Sequence, residues 1–223
     1  MVIKAALLDV DGTLIDSNEA HAQTWWATLT QFGYRVTVAR VRELIGKGAD
    51  KLLPEAAGVE RESRSAREMI AYRSTLFRVR CIPHLKTFPG ARGFIEALLK
   101  RHIRPVVATS AGKDELGAIL KTTGLADLLV RATTSSDTAR SKPDPDIVKC
   151  ALRVAECEPG EAVMLGDTPY DVEAANRAGV RIVALRSGCW DDKSLAGAES
   201  IYENTQDLLD HFEDSPFGEP HAG

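Results

Sequence analysis

The sequence predicts an α/β protein: a Rossmann-like parallel sheet core with helices on both faces and an inserted all-helical unit. Three observations support this prediction. The short apolar run before Asp9 is typical of a central strand buried on both faces. The segment that follows it carries helical patterns and no convincing strand. From residue 88 onward, strand patterns and helix patterns alternate, which implies a parallel sheet.

Composition and charge limit the classes of partner. The chain has 223 residues, 44% of them hydrophobic, which is enough to bury a full core. A net charge of −4, with basic and acidic residues interspersed, provides no basic field for nucleic acid. No apolar run approaches the roughly 18 residues of a membrane span, and the first residues lack a secretion-signal pattern. We therefore expect a cytoplasmic protein without nucleic-acid or membrane partners.

The first strand is predicted over 2–10, and a helix begins after Ser17 and ends at Gly33. Three further helices are predicted over 38–44, 51–57 and 65–79. One strand lies before this helical block and the others follow it. The expected domain organisation is therefore an α/β catalytic core made of 1–15 and 88–213, with a helical cap over 16–87.

The second half of the chain has the alternation expected of the core. Strands are predicted over 104–109, 128–133, 162–165 and 181–185. Helices are predicted between and around them, over 94–101, 115–123, 145–155 and 172–178. The last residues, 214–223, are rich in Pro, Gly and acids, which predicts a disordered tail.

Loops at the carboxyl ends of strands form the binding site of an open parallel sheet. Four such loops carry polar residues here: Asp9 and Asp11; Thr109, Ser110 and Ala111; Lys142; Asp167 and Asp171. Each has an ordinary explanation, since Asp-Gly is a common turn and Ser or Asp commonly caps a helix. A lysine alone is usually solvated. The joint occurrence of these residues at one sheet edge nevertheless favours a site.

These residue types suit phosphoryl transfer. Carboxylates bind Mg²⁺, a hydroxyl and backbone N–H groups at a helix start hold phosphate, and a lysine offsets negative charge. One carboxylate can attack phosphorus to form an aspartyl-phosphate, and its hydrolysis then needs a general acid/base beside the nucleophile. Asp9 and Asp11 are two residues apart, so strand alternation would separate them. The break at Gly12 must therefore turn Asp11 back toward the site.

The four loops resemble the motifs of the haloacid dehalogenase (HAD) superfamily over nearly the whole chain except the tail. The DVDGT stretch is similar to its first motif, and the other three motifs are matched by Thr109-Ser110, Lys142-Pro143, and Gly166-Asp167 with Asp171. The resemblance implies a nucleophile at Asp9, an acid/base at Asp11, and phosphate contacts from Lys142 and the loop of Thr109, Ser110 and Ala111. It also implies a C1-type cap, and Mg²⁺ held by Asp9, the Asp11 backbone carbonyl and Asp167, with Asp171 auxiliary.

Within that superfamily the chain resembles the phosphoglycolate-phosphatase and β-phosphoglucomutase branch. His21 falls where the mutases carry a histidine, and it is predicted with Lys47 to contact the substrate. Where the mutases place a cap arginine for the distal phosphate, this chain has Ala49. That departure argues against mutase activity.

The leading hypothesis is a Mg²⁺-dependent phosphatase that hydrolyses a small phosphorylated metabolite through an aspartyl-phosphate intermediate, as a monomer or a homodimer. A sugar-phosphate mutase is the alternative among enzymes. A phospho-accepting signalling module is a second alternative, because receiver domains also combine clustered acids, a hydroxyl and a lysine. A non-catalytic binding protein on the same scaffold is a third.

Overall fold

A computed structural model of the protein describes residues 2–218. Within these residues six strands form one sheet: β1 (Ala5–Leu8), β2 (Arg104–Ala108), β3 (Ala132–Thr133), β4 (Ala162–Gly166), β5 (Arg181–Leu185) and β6 (Ser200–Tyr202). Their order is β3-β2-β1-β4-β5-β6, and every neighbouring pair is parallel. The predicted Rossmann-like sheet is confirmed.

Strand β1 is central and fully buried, because both sheet faces are covered. Side chains alternate between the faces of a strand, so Leu7 and Leu8 join different hydrophobic clusters. Leu8 belongs to the cluster of Phe94, and Leu7 to the cluster of Ile147. This two-sided burial explains why the β1 sequence is continuously apolar.

The first four helices after β1 form one group: α1 (Asn18–Gln31), α2 (Val38–Arg42), α3 (Ala49–Ala57) and α4 (Arg64–Arg80). We call this group the helical insertion. It has its own hydrophobic cluster, which includes Leu29, Leu52 and Met69. The remaining helices pack around the sheet and belong to the core: α5 (Ala91–Lys100), α6 (Lys113–Thr123), α7 (Asp146–Ala155), α8 (Pro169–Ala178) and α9 (Thr205–Asp210).

The chain enters and leaves the helical insertion through adjacent backbone segments. The Asp16 N–H donates to the Lys86 carbonyl at 3.0 Å, and the Phe88 N–H donates to the Leu14 carbonyl at 2.9 Å. A bridge between Ile15 and Thr87 lies between them. The two backbone segments that connect the helical insertion to the core are therefore hydrogen-bonded to each other at the sheet edge where β1 ends.

Several elements differ from the prediction. Strand β1 is shorter than 2–10, β3 is a two-residue edge strand rather than 128–133, and β6 and α9 were not predicted. The tail prediction, 214–223, is wrong for 214–218, where Phe217 is 1% exposed and its ring lies 5.2 Å from that of Phe94. Residues 219–223 lie outside the described residues. Within 2–218, no helix has both the length and the apolar character needed to cross a membrane.

Candidate active site

The polar loops meet where β1, β2 and β4 end. Lys142 reaches across this edge, with Nζ 2.5 Å from Oδ1 of Asp9 and 2.6 Å from Oδ1 of Asp171. Its side chain is 1% exposed. Because β1 and β4 are paired neighbours, Asp9 and Asp167 follow them side by side. The buried Lys142 ammonium itself bridges two carboxylates, that of Asp9 after β1 and that of Asp171 after β4.

A tight turn follows Asp9 and returns Asp11 to the site. The N–H groups of Leu14 and Ile15 donate to the Val10 carbonyl at 2.9 and 3.0 Å. Gly12 has φ +83°, and a Cβ there would lie 2.2 Å from both Asn18 Nδ2 and Asp167 Oδ2. Glycine is therefore required both by the left-handed backbone and by the close approach.

Asp11 faces the helical insertion. Its Oδ1 accepts a hydrogen bond from Ser17 Oγ at 2.6 Å and lies 2.7 Å from His21 Nε2. Burial opposes ionisation of Asp11, but the nearby charges and the hydrogen bonds from His21 and Ser17 outweigh it and lower its pKa. The carboxyl is therefore held in the ionised form.

Asp167 is buried on the other side of Asp9. Its Oδ1 accepts a hydrogen bond from Thr13 Oγ1 at 2.7 Å, and its Oδ2 accepts one from Asn18 Nδ2 at 2.9 Å. Within residues 2–218 no ion pair reaches this carboxylate. Burial raises its pKa well above the usual value, and the charges of Asp9 and Asp171 raise it further.

The three buried aspartates, Asp9, Asp167 and Asp171, fit a divalent cation. Each offers a carboxylate oxygen, and these oxygens all lie within 4.8 Å of one another. Burial raises the pKa of Asp9 to about 7, although Lys142 opposes that shift. Burial likewise opposes the charge of Lys142, but Asp171 and Asp9 outweigh it and raise the lysine pKa. Three acids around one lysine leave negative charge that a bound cation would compensate.

A cavity of about 580 Å³ opens beside Asp9 and Asp11 between the helical insertion and the core. The β2 loop forms part of its wall with Thr109, Ser110 and Ala111. Ser110 Oγ donates to the Gly46 carbonyl of the insertion at 3.2 Å, and Thr109 Oγ1 accepts from the Ala111 N–H at 3.1 Å. These groups line the same cavity as Asp9, and their contact with a phosphate remains a prediction.

The two predicted substrate contacts in the insertion already have protein partners. The Lys47 ammonium lies 2.7 Å from both carboxylate oxygens of Glu55 and 4.6 Å from the centre of the Tyr170 ring. His21 contacts Asp11 through Nε2 and Arg73 through Nδ1. Both side chains line the cavity, and a contact between either of them and a substrate remains a prediction.

Two functional candidates were missed from the sequence. Arg73 on α4 is 7% exposed and donates from Nη1 to both oxygens of Glu115 on α6, at 2.7 and 2.9 Å. Both residues line the cavity. Neither gave a signal, because Arg73 lies within a helical pattern and Glu115 lies where acids commonly begin a helix.

The protein is therefore an α/β protein that has a Rossmann-like sheet, a buried acidic cluster at the carboxyl edge of that sheet and a helical insertion after the first strand. Residues 6–185 match the sequence profile of the family described as haloacid dehalogenase-like hydrolase. The chain belongs to this family.

Individual relatives agree with the assignment. The chain is 27% identical over 205 residues to the validoxylamine A 7'-phosphate phosphatase of Streptomyces hygroscopicus subsp. limoneus, covering 92% of this chain and 95% of that protein. It is 29% identical over 216 residues to the phosphoglycolate phosphatase of Rhodospirillum rubrum, covering 93% and 90%. A crystal structure of a hydrolase from Pseudomonas syringae superposes with a TM-score of 0.88 at 27% identity, covering 95% of this chain and 98% of that one.

Proposed function

We propose that the protein is a Mg²⁺-dependent phosphatase that removes phosphate from a small phosphorylated metabolite through an aspartyl-phosphate on Asp9. The observation that carries this proposal is the placement of Asp9 at the cavity, in contact with Lys142 and with a carboxylate oxygen within 4.8 Å of one from Asp167. An acid held by a fixed cation and facing a cavity is suited to nucleophilic attack.

In the first step, an Asp9 oxygen attacks phosphorus and the bond from phosphorus to the leaving oxygen breaks. The leaving oxygen takes a proton from water or from Asp11, which must first be protonated because its lowered pKa keeps it ionised in the free protein. In the second step, water attacks the same phosphorus, Asp11 accepts the water proton, and the bond to Asp9 breaks to release inorganic phosphate. The ionised form of Asp11 is the form that accepts this proton.

Asp9 and Asp167 would hold Mg²⁺, together with the Asp11 backbone carbonyl, and Asp171 would support Lys142 or serve as an auxiliary ligand. A bound Mg²⁺ supplies positive charge that stabilises the phosphoryl oxygens as charge develops on them. Lys142 neutralises part of the same charge from the opposite side, and Ser110 can donate to a phosphate oxygen once it leaves the Gly46 carbonyl.

The helical insertion is proposed to act as a cap over 16–87 that encloses the substrate and excludes bulk water. The cavity volume of about 580 Å³ suits a small molecule rather than a macromolecule. The names of the two relatives, a validoxylamine A 7'-phosphate phosphatase and a phosphoglycolate phosphatase, support the same class of substrate. The Arg73 guanidinium at the cavity is already paired with Glu115, which argues against its holding the second phosphate of a mutase substrate.

A hydrolysis screen over phosphorylated metabolites and p-nitrophenyl phosphate tests the proposal. We expect multiple turnovers with Mg²⁺, none with EDTA, and none for Asp9→Asn. Asp16→Asn is the matched control, because Asp16 is an exposed acid in the same connection. Phosphate release that survives Asp9→Asn would refute the proposal. Stoichiometric labelling without turnover would favour the signalling module, and a bisphosphate-dependent isomerisation would favour the mutase.

A further inference from the structure

A line of four charged or polar side chains connects the core to the acid/base candidate through the helical insertion. It begins at Glu115 on the core helix α6, passes to Arg73 on α4, continues to His21 on α1 and ends at Asp11. The side chains of Glu115 and Arg73 are 11% and 9% exposed. This line is separate from the cluster around Lys142, and the proposed chemistry assigns no role to Glu115 or Arg73.

The chemistry of arginine fixes the tautomer of His21. A guanidinium has only donor hydrogens and stays charged in proteins, so the His21 Nδ1 that contacts Arg73 must accept. In a neutral imidazole the other nitrogen then carries the proton. His21 Nε2 therefore donates to Asp11 Oδ1, across 2.7 Å. The His21 ring is also stacked on Phe77, with centroids 4.2 Å apart and planes 17° apart, which fixes the direction of that donor.

Glu115 keeps Arg73 in the orientation that this arrangement needs. Its two oxygens bind Nη1 and leave Nη2 directed at His21. The guanidinium carbon lies 4.5 Å from the Phe77 ring centre and 5.5 Å from that of Trp25. Arg73 also lines the cavity, so without Glu115 its charge would be attracted to a bound phosphate instead. The carboxylate therefore holds the arginine against His21 and away from the substrate.

We infer that Glu115 and Arg73 are positioning residues that fix the His21 tautomer and thereby aim the Asp11 carboxylate at the reacting phosphoryl group. This inference rests on the proposed function. Because Glu115 belongs to the core and Arg73 to the insertion, the arrangement exists only when the insertion is seated on the core. Packing of the insertion against the core thus covers the cavity and also brings together the contacts that orient Asp11.

A double-mutant cycle in kcat tests the inference with p-nitrophenyl phosphate and Mg²⁺. Glu115→Gln removes the charge with little change of shape, and we expect kcat to fall by about 10- to 100-fold while KM changes less than about twofold. In a His21→Ala background the same substitution is expected to change kcat by less than about twofold, since the route to Asp11 is already broken. Equal losses in both backgrounds would overturn the inference.

Two controls separate positioning from general loosening. Glu68→Gln removes an exposed ion pair with Arg64 on the same helix α4, and it is expected to leave kcat and KM unchanged. Lys51→Gln removes another ion pair between the insertion and the core, the 2.6 Å contact with Asp144, without touching His21. Its effect on kcat is expected to be the same in the wild-type and His21→Ala backgrounds, unlike that of Glu115→Gln.

Nitrogen NMR of the histidine side chains gives a readout that is independent of turnover. The chain has five histidines, and the His21 signals are assigned by their loss in His21→Ala. We expect the pattern of a neutral ring protonated on Nε2 in the wild type and an averaged pattern in Arg73→Met, which removes the donor, and in Glu115→Gln. An unchanged pattern in both variants would overturn the inference. A failure of the proposed function is distinguished by a separate result, which is turnover that persists in Asp9→Asn.

Discussion

Lys142 and Asp9 are 133 positions apart in the chain, yet the lysine Nζ lies 2.5 Å from the aspartate Oδ1 with both side chains buried. The contact forms because β1 and the loop before α7 meet at the same edge of the sheet. It places a fixed positive charge against the proposed nucleophile. The same ammonium holds Asp171, so one side chain sets the electrostatics of two loops.

Replacing this lysine tests the contact. Lys142→Met keeps the length of the side chain but leaves Asp9 and Asp171 without their cation. We expect kcat to fall by at least about 100-fold, and the free energy of unfolding to fall by about 3 kcal/mol, because a buried charge loses its partner. Turnover and urea denaturation measure the two effects. Lys149→Met, an exposed lysine on α7, is the control and is expected to change neither quantity. Full activity in Lys142→Met would contradict the assigned role.

Asp11→Asn separates the two chemical steps. With p-nitrophenyl phosphate the leaving group needs no proton, so the phosphoenzyme still forms. The amide cannot accept a proton from water, so the phosphoenzyme is expected to accumulate while hydrolysis slows by about 100-fold or more. A rapid-quench experiment should show a burst of released p-nitrophenol, equal at most to the enzyme concentration, followed by slow turnover. Asp16→Asn should behave like the wild type. Slow turnover without labelled enzyme would mean that Asp11 acts only in the first step.

Metal binding and pH are expected to be coupled through Asp9 and Asp167. Both carboxyls have a raised pKa in the folded protein, to about 7 for Asp9. The folded state therefore binds protons more tightly than the unfolded state, and protonation of these carboxyls stabilises the fold. That contribution is complete below the unfolded pKa near 4 and is lost as pH rises through about 7. Without metal, Tm should therefore fall between pH 5 and pH 8.

Mg²⁺ should reverse this loss, because the cation replaces the protons. Thermal scans with EDTA and with Mg²⁺ should converge near pH 5 and separate as pH rises. Asp167→Asn removes one of the two groups, so it should flatten the pH dependence of the metal-free protein and weaken the response to Mg²⁺. A Mg²⁺ response that is equal at pH 5 and pH 8 would count against a site built on these carboxylates.

Gly12→Ala tests the turn that brings Asp11 back to the site. The new Cβ would lie 2.2 Å from Asn18 and Asp167 and would sit at φ +83°. We expect the free energy of unfolding to fall by more than about 2 kcal/mol, from the left-handed backbone and the overlap together. Gly117→Ala is a matched control, because that glycine lies inside α6 with no heavy atom within 4 Å of the added Cβ. It should raise stability by about 0.5–1 kcal/mol.

The features that could be predicted from the sequence are those encoded by short contiguous motifs. Asp9 and Asp167 each follow a clear apolar strand, so their meeting at one edge follows from the rules for parallel sheets. The pairing of Arg73 with Glu115 depends on how α4 packs against α6, which no local pattern encodes. Strand β6 is only half-buried, so it shows no clear strand period, and β3 has only two residues, so the strand predicted over 128–133 was too long. Phe217 is buried by contact with distant residues, against the local composition of its segment.

The segments that enter and leave the helical insertion, at Asp16 and Phe88, are joined by backbone hydrogen bonds, and this affects which parts of such a protein can vary. Because the ends of the helical insertion are already hydrogen-bonded together, its length and sequence can change without moving the strands that carry Asp9 and Ser110. Under the proposed function, the insertion could then vary with the substrate while the residues proposed for phosphoryl transfer stay in place. The contact between Arg73 and Glu115 is one of those that tie the two segments together, and it predicts that replacements of the insertion succeed only when they preserve a cation at that point.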